Sequence, residues 1–237
     1  KGVNSTLQNR DSRIVIFTKS KTGTISDNTI TSGKDKGIAI NSVKCKMTIS
    51  GNTIKKCKAY PIYCNPASTS YAITLKKNII TGNSKKIDGI RADSGKLILS
   101  SNTISSCSRA IILSSKVKGT VYPNTFKKNT YNNVKVNSSY VNTLTVKSLS
   151  GKSKSAKTAT LNWKKLSSAS GYVVYRSASK NGSYTKISTI KKNKTITYKD
   201  SKLKRKSTYY YKIVPYTTIG KTTVYGLDSK IVSIKIK

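Results

Sequence analysis

The chain has 237 residues, with 46 Lys and Arg against 7 acids and no His, a formal net charge of +39. All seven acids are Asp, which excludes a His-based nucleophilic triad, a histidine metal site and any acid–base pair built on Glu. Asp, Lys, Arg, Tyr, Cys and the hydroxyls remain, a thin set for an ordinary hydrolase. Hydrophobic residues make up 35%, yet Ile, Val, Leu and Tyr recur in order, so a globular chain of one or two domains is expected. No apolar run approaches the roughly 20 residues that span a bilayer, and no apolar leader precedes the first motif, so the chain is expected not to be transmembrane. It opens on Lys1 rather than Met, as a processed or excised piece would.

In chain order, one short phrase returns five times: TISDNTI from Thr24, TISGNTI from Thr48, TLKKNII from Thr74, ILSSNTI from Ile98 and TVYPNTF from Thr120. Its Asn falls at Asn28, Asn52, Asn78, Asn102 and Asn124, in steps of 24, 26, 24 and 22 residues. That spacing is one supersecondary unit per step. Three residues before each Asn stand Ile25, Ile49, Leu75, Leu99 and Val121, and two after stand Ile30, Ile54, Ile80, Ile104 and Phe126. Between them Ser, Thr and Lys alternate with period two, which predicts short strands with one buried face. A second set of strands precedes the phrases: IVIF from Ile14, GIAI from Gly37, PIYC from Pro61, GIRA from Gly89, AIIL from Ala110 and NVKV from Asn133. Three short strands per unit, stacked about 4.8 Å apart, describe a right-handed parallel β-helix of about six coils over residues 1–146. The repeated Asn is expected to take the left-handed bend and to bond its equivalents above and below as a ladder. A second ladder is expected at Asn41, Asn65, Asp93, Ser114 and Asn137. Cys45, Cys57, Cys64 and Cys107 match no metal spacing and read as buried packing, with one disulfide left open.

The phrase xIxxNTI preceded by GIxI resembles the parallel β-helix repeats of the pectate lyase superfamily and of related secreted surface proteins. The resemblance implies a fold shared by lyases, hydrolases, epimerases, tailspikes and adhesins, and so not one activity. The chain begins part-way round a coil, at Lys1 to Arg13, so upstream coils are expected in the parent protein. In the β-helix lyases the substrate crosses the outward face of the first sheet. Alternation puts Val15, Ala39, Tyr63, Arg91, Ile112 and Lys135 in one outward column there. By the resemblance, Arg91 is the candidate base, Asp88 and Asp93 are candidate Ca²⁺ ligands, and Tyr63, Arg91, Asp93 and Lys135 are candidate binding residues. A surface ion pair between Arg91 and its flanking Asp residues accounts for the same pattern. Two neighbouring carboxylates fall short of the six to eight oxygens that Ca²⁺ takes. No cofactor is expected outside the lyase reading.

From about Val146 the repeat stops. Short alternating strands follow a Ser/Lys-rich stretch and predict a β-sandwich over 147–237. Trp163 on its second strand, Gly171-Tyr172 opening the third, and Leu203 followed by Tyr209 are similar to a fibronectin type III domain. Arg205 and Ser207 stand where that family has Pro and Thr. Tyr209 is the expected tyrosine-corner residue, with Tyr211 and Ile213 on the buried face. Tyr210 with Tyr216 or Tyr225 could form an outward aromatic patch.

The charge divides evenly, +19 up to Val146 and +20 beyond it, and is mostly Lys. Lys is a hydrated point charge rather than a bidentate reader, and no nucleic-acid motif accompanies it, so no specific nucleic acid is expected. Such a field adheres to anionic polymers. The all-β chain therefore reads as the C-terminal part of a secreted or wall-associated bacterial protein, monomeric, that binds anionic polysaccharide or cell-wall polymer. The alternative is a polysaccharide lyase or epimerase acting on polyuronates.

Overall fold

A computed structural model describes residues 7–8, 14–15, 22–31, 35–41, 45–66, 68–83 and 86–237. Every regular element among them is a β-strand. The chain forms two compact units, residues 1–142 with 218–224, and residues 143–217 with 225–237. The Lys1 to Arg13 lead-in lies outside the described residues except for one two-residue strand.

The first unit is a parallel β-helix with three faces. The first face stacks β2 (Ile14–Val15), β5 (Ile38–Asn41), β8 (Ile62–Asn65), β11 (Ile90–Ala92), β14 (Arg109–Leu113) and β17 (Tyr131–Val136), and ends with antiparallel β18 (Ser139–Val141). The second stacks β3 (Thr22–Ser26), β6 (Lys46–Ser50), β9 (Ala72–Lys76), β12 (Gly95–Ser100) and β15 (Val117–Val121). The third stacks β1 (Leu7–Gln8), β4 (Thr29–Thr31), β7 (Thr53–Lys55), β10 (Ile79–Thr81), β13 (Thr103–Ser105) and β16 (Thr125–Lys127). Four full-length turns run from β5 to β16, a turn with a two-residue first strand, β2 to β4, precedes them, and β1 and β17 belong to partial turns at the ends, against the six expected.

Alternation works as the sequence requires. Ile38, Ile62, Ile90 and Ile111 stack inside the first face, and Ile30, Ile54, Ile80 and Ile104 inside the third, all fully buried. Each such side chain contributes about 2–3 kcal/mol of burial. Phe126, which continues the third column, is only partly buried, because the last turn has no full coil above it. All four cysteines are buried thiols without a disulfide.

The Asn ladder forms, but its geometry differs from expectation. Asn28, Asn52 and Asn78 each donate both backbone N–H and Nδ2 to the Oδ1 of the next Asn at 2.9–3.1 Å, and Asn102 does the same to Asn124 at 2.9 Å. The left-handed residue is the one before: Asp27, Gly51, Lys77 and Ser101, at φ 58°, 68°, 56° and 55°. The Asn must aim its amide into the stack, so the exposed neighbour absorbs the bend. The second expected ladder is not of this kind. Asn41 and Asn65 are in register, but the Ser94 hydroxyl bonds Asn65 Oδ1 and the Ser114 hydroxyl bonds the Asp93 carbonyl.

The segment 218–224 belongs to the β-helix unit although it lies far along the sequence. Within it, the start of β25 (Thr222–Tyr225) pairs in parallel with β15, Thr120 with Thr223 and Val121 with Val224. Thr222 is fully buried; its hydroxyl accepts from Gly119 N–H at 3.2 Å and donates to the Val117 carbonyl at 3.0 Å. Gly119 leaves the room: a Cβ there would lie 2.9 Å from the Thr222 side chain.

The second unit is a sandwich. One sheet pairs β19 (Leu149–Lys152), β20 (Ala159–Trp163) and β23 (Thr197–Asp200). The other pairs β22 (Thr185–Ile190), β21 (Gly171–Ser177), β24 (Thr208–Ile219) and β26 (Val232–Lys235). This three-plus-four antiparallel order is the fibronectin type III arrangement. Trp163, Tyr172, Tyr211 and Ile213 fill its core, with Trp163 edge-on to Tyr172 at 5.3 Å. Tyr209 is half-buried, and its hydroxyl accepts from Lys204 N–H at 3.3 Å.

Candidate functional site

Strand pairing puts the outward column of the first face in register: Val15 beside Ala39, then Tyr63, Arg91, Ile112 and Lys135. The side chain of Val15 lies outside the described residues. Ala39 points outward yet is only 1% exposed, so the usable face starts at Tyr63.

There the loops entering β5 and β8 bring in residues that the column alone does not reveal. Tyr60 stacks on Tyr63 with ring centroids 5.9 Å apart and planes 23° apart. Lys36 Nζ lies 5.5 Å from the Tyr63 ring centroid and pairs with Asp35 at 3.0 Å. The Arg91 guanidinium lies 5.2 Å from the Tyr60 centroid, and its Nη1 donates to the Tyr60 hydroxyl at 3.0 Å. Further along, Arg109 lies 5.2 Å from the Tyr131 centroid and Lys135 Nζ 5.5 Å from the Tyr140 centroid. Tyr131 and Tyr140 are 48% and 52% exposed. Four cation–tyrosine pairs thus line or flank one sheet face, each worth about 0.5–1 kcal/mol where exposed.

Asp93 joins the first two of these pairs. Its Oδ2 accepts from the Tyr63 hydroxyl at 2.8 Å and its Oδ1 from Arg91 Nε at 3.0 Å. Burial, then the hydrogen bond to Asp93 and its charge, push the Tyr63 phenol up to about 12. For Arg91, burial pulls down, but the bond to Asp93, its charge and Tyr60 outweigh it and hold the guanidinium above its ordinary value. Arg91 is therefore a fixed cation, and a base must first lose its proton. Asp88 accepts from Arg109 N–H at 3.2 Å and faces its Nη1 at 3.8 Å. A Ca²⁺ ion held by Asp88 and Asp93 would have to displace these partners.

In the sandwich, Asp200 is buried and bonds Arg176 Nη1 at 3.0 Å and the Tyr211 hydroxyl at 2.9 Å. This network ties three strands together, and no local pattern announces it. Tyr216 and Tyr225 do not form the open patch the sequence suggested; Tyr216 is buried with Val173 and Val214, and Tyr225 packs against them.

Residues 3–158 match the family described as "Periplasmic copper-binding protein (NosD)". No curated protein matches the chain. Among solved structures, an Fn3-like protein from Clostridium thermocellum is 29% identical, with 38% of this chain and 88% of that chain covered and a TM-score of 0.33. The FN1-FN3 domains of chicken CNTN1 are 17% identical, with 44% and 35% covered and a TM-score of 0.36. A β-1,2-glucanase from Parabacteroides distasonis is 17% identical, with 40% and 12% covered and a TM-score of 0.32.

The donor set does not suit the copper that the matched description names. Copper sites draw on imidazole, thiolate and thioether, and this chain has no His, one Met and four Cys. The Cys45 thiol donates to Met47 Sδ at 3.4 Å inside the core. Burial pushes Cys64 and Cys107 up to about 12, away from the thiolate a metal needs. Among the described residues no three His, Cys, Asp or Glu side chains gather at one place, and no helix is long and apolar enough to cross a membrane.

Proposed function

We propose, from the premise that the chain belongs to the NosD family, that it is an exported β-helix protein whose first sheet holds an anionic polysaccharide or cell-wall polymer without cleaving it. The observation that carries this reading is the row of cation–tyrosine pairs from Tyr63 to Tyr140 on one sheet. Tyrosine rings offer flat apolar surface for sugar faces, and cations beside them meet carboxylate or phosphate groups. Asp93 orients this set rather than reacting: by fixing Tyr63 and Arg91 it lowers the entropy lost when a polymer is bound. The lyase reading has less support, because its base, Arg91, is held protonated by two partners.

The test must separate a shaped site from the general attraction of a +39 chain. Tyr63→Ala, Tyr131→Ala and Tyr140→Ala leave the charge unchanged. Each is expected to weaken polygalacturonate binding about two- to twelvefold by calorimetry, from roughly 0.5–1.5 kcal/mol per lost ring contact. Unchanged affinity in all three would reduce the face to plain electrostatics. Ca²⁺-dependent release of unsaturated products, lost in Arg91→Ala, would replace binding by lyase chemistry.

A further inference from the structure

The sandwich has an open depression of about 690 Å³ lined by Lys157, Lys202, Leu203, Lys204, Arg205 and Tyr209. Four of these six are cations and none is an acid. The two acids of this unit are committed elsewhere: Asp200 to Arg176 and Tyr211, and Asp228 to Lys212 at 2.7 Å. The walls are pinned. Leu203 is buried and its N–H donates to the Lys157 carbonyl at 3.0 Å, joining two loops, while the Tyr209 hydroxyl holds Lys204 N–H. Lys157 and Lys202 are both left-handed, at φ 59° and 60°, a conformation that favours Gly. Left-handed lysines also occur at β-helix bends, such as Lys56 and Lys77, so strain alone singles out nothing. Here it coincides with a concave, acid-free surface that has a tyrosine edge.

We propose that this depression is a second site, independent of the first sheet, for a single sugar bearing an oxyanion. Arg205 supplies planar paired donors and the three lysines supply point charge for a phosphate ester or a carboxylate. The accessible part of the Tyr209 ring receives the apolar face of the sugar. The shared chemistry is an anionic sugar, and the two sources of charge are told apart by experiment.

The 237-residue chain would be titrated with glucose 1-phosphate, glucuronate and uncharged glucose at physiological salt, read by amide NMR shifts and calorimetry. At least one charged sugar is expected to move the amides of 157 and 202–209, with glucose silent, and the tighter arm identifies the anion. The Lys157→Gly/Lys202→Gly double variant suits the left-handed backbone while removing two cations. It should lose tenfold or more in affinity at an unchanged melting temperature, with any binding at Tyr63 retained. The proposal is overturned if neither charged sugar binds, if shifts scatter over lysines of both units, or if the glycine variant binds as well as the parent.

Discussion

Tyr63 shows how one side chain serves both stability and recognition. Its hydroxyl is fixed by Asp93 in the next coil, and burial with that bond raises its phenol from 10.0 to about 12. Between those values the unfolded chain has given up the phenolic proton while the folded chain keeps it. The folded state then binds more protons, so stability falls as pH rises through that window and is fully present below it. Denaturant midpoints measured across it should decline less steeply in Tyr63→Phe than in the parent; parallel curves would show that Tyr63 carries no such linkage. Tyr211 is raised by burial first and by its bond to Asp200 second, so part of the decline persists in the variant. At this scale the outward position of Tyr63 was legible from alternation, since neighbouring residues of a strand face opposite ways. Its partners Tyr60 and Lys36 were not, because they enter from loops where no period applies.

The coil is the unit at the next scale, and the ladder Asn joins one coil to the next. Asn52 accepts the Asn28 N–H, and its Nδ2 reaches the Ile25 carbonyl at 2.9 Å and Asn78 Oδ1 at 3.0 Å, all without exposure to water. Asn52→Leu keeps the volume but orphans the Asn28 N–H and takes one donor each from the Ile25 carbonyl and Asn78 Oδ1. A loss of roughly 2–4 kcal/mol in denaturant unfolding is expected, from about 1–3 kcal/mol per unsatisfied buried group. Asn124, at the partly exposed end of the ladder, should cost less on the same change, and equal losses would argue against a cooperative stack. The recurrence of Asn made the ladder readable, whereas the left-handed position one residue earlier was not, because Asp, Gly, Lys and Ser share no pattern there. A second recurrence accompanies it: Cys57, Asn83, Cys107 and Asn129 all stand five residues after a ladder Asn. Asn129 Oδ1 accepts Cys107 N–H at 2.9 Å and Nδ2 donates to the Ile104 carbonyl at 3.0 Å, so these cysteines are packing positions of the second bend.

Across the whole molecule the charge is +19 up to Val146 and +20 beyond, and among the described residues ion pairs hold Lys36, Arg91, Arg109, Arg176 and Lys212. Exposed Lys interacts with a polyanion over about a Debye length, roughly 10 Å at 0.1 M salt. Retention on immobilised polyuronate should therefore fall steeply from low to above-physiological salt, while the tyrosine variants stay weaker than the parent at every salt concentration. Salt-independent retention would contradict the electrostatic share of binding, and convergence of the variants at low salt would remove the tyrosine share.

The sequence by itself determined the coil, its three strands, the inward columns, the Asn ladder and the presence of a sandwich. Each of these follows from side-chain period and from the repeated return of like residues, which are local properties. Only the tertiary structure decided which cations meet which tyrosines, since Tyr63 and Asp93 are 30 residues apart and touch because coils stack. It also decided that residues 218–224 complete a β-helix sheet, through the Thr222 bonds to Gly119 and Val117 more than 100 residues away. Such pairings are set by loop closure and burial between distant segments, for which no short stretch of sequence carries the signal.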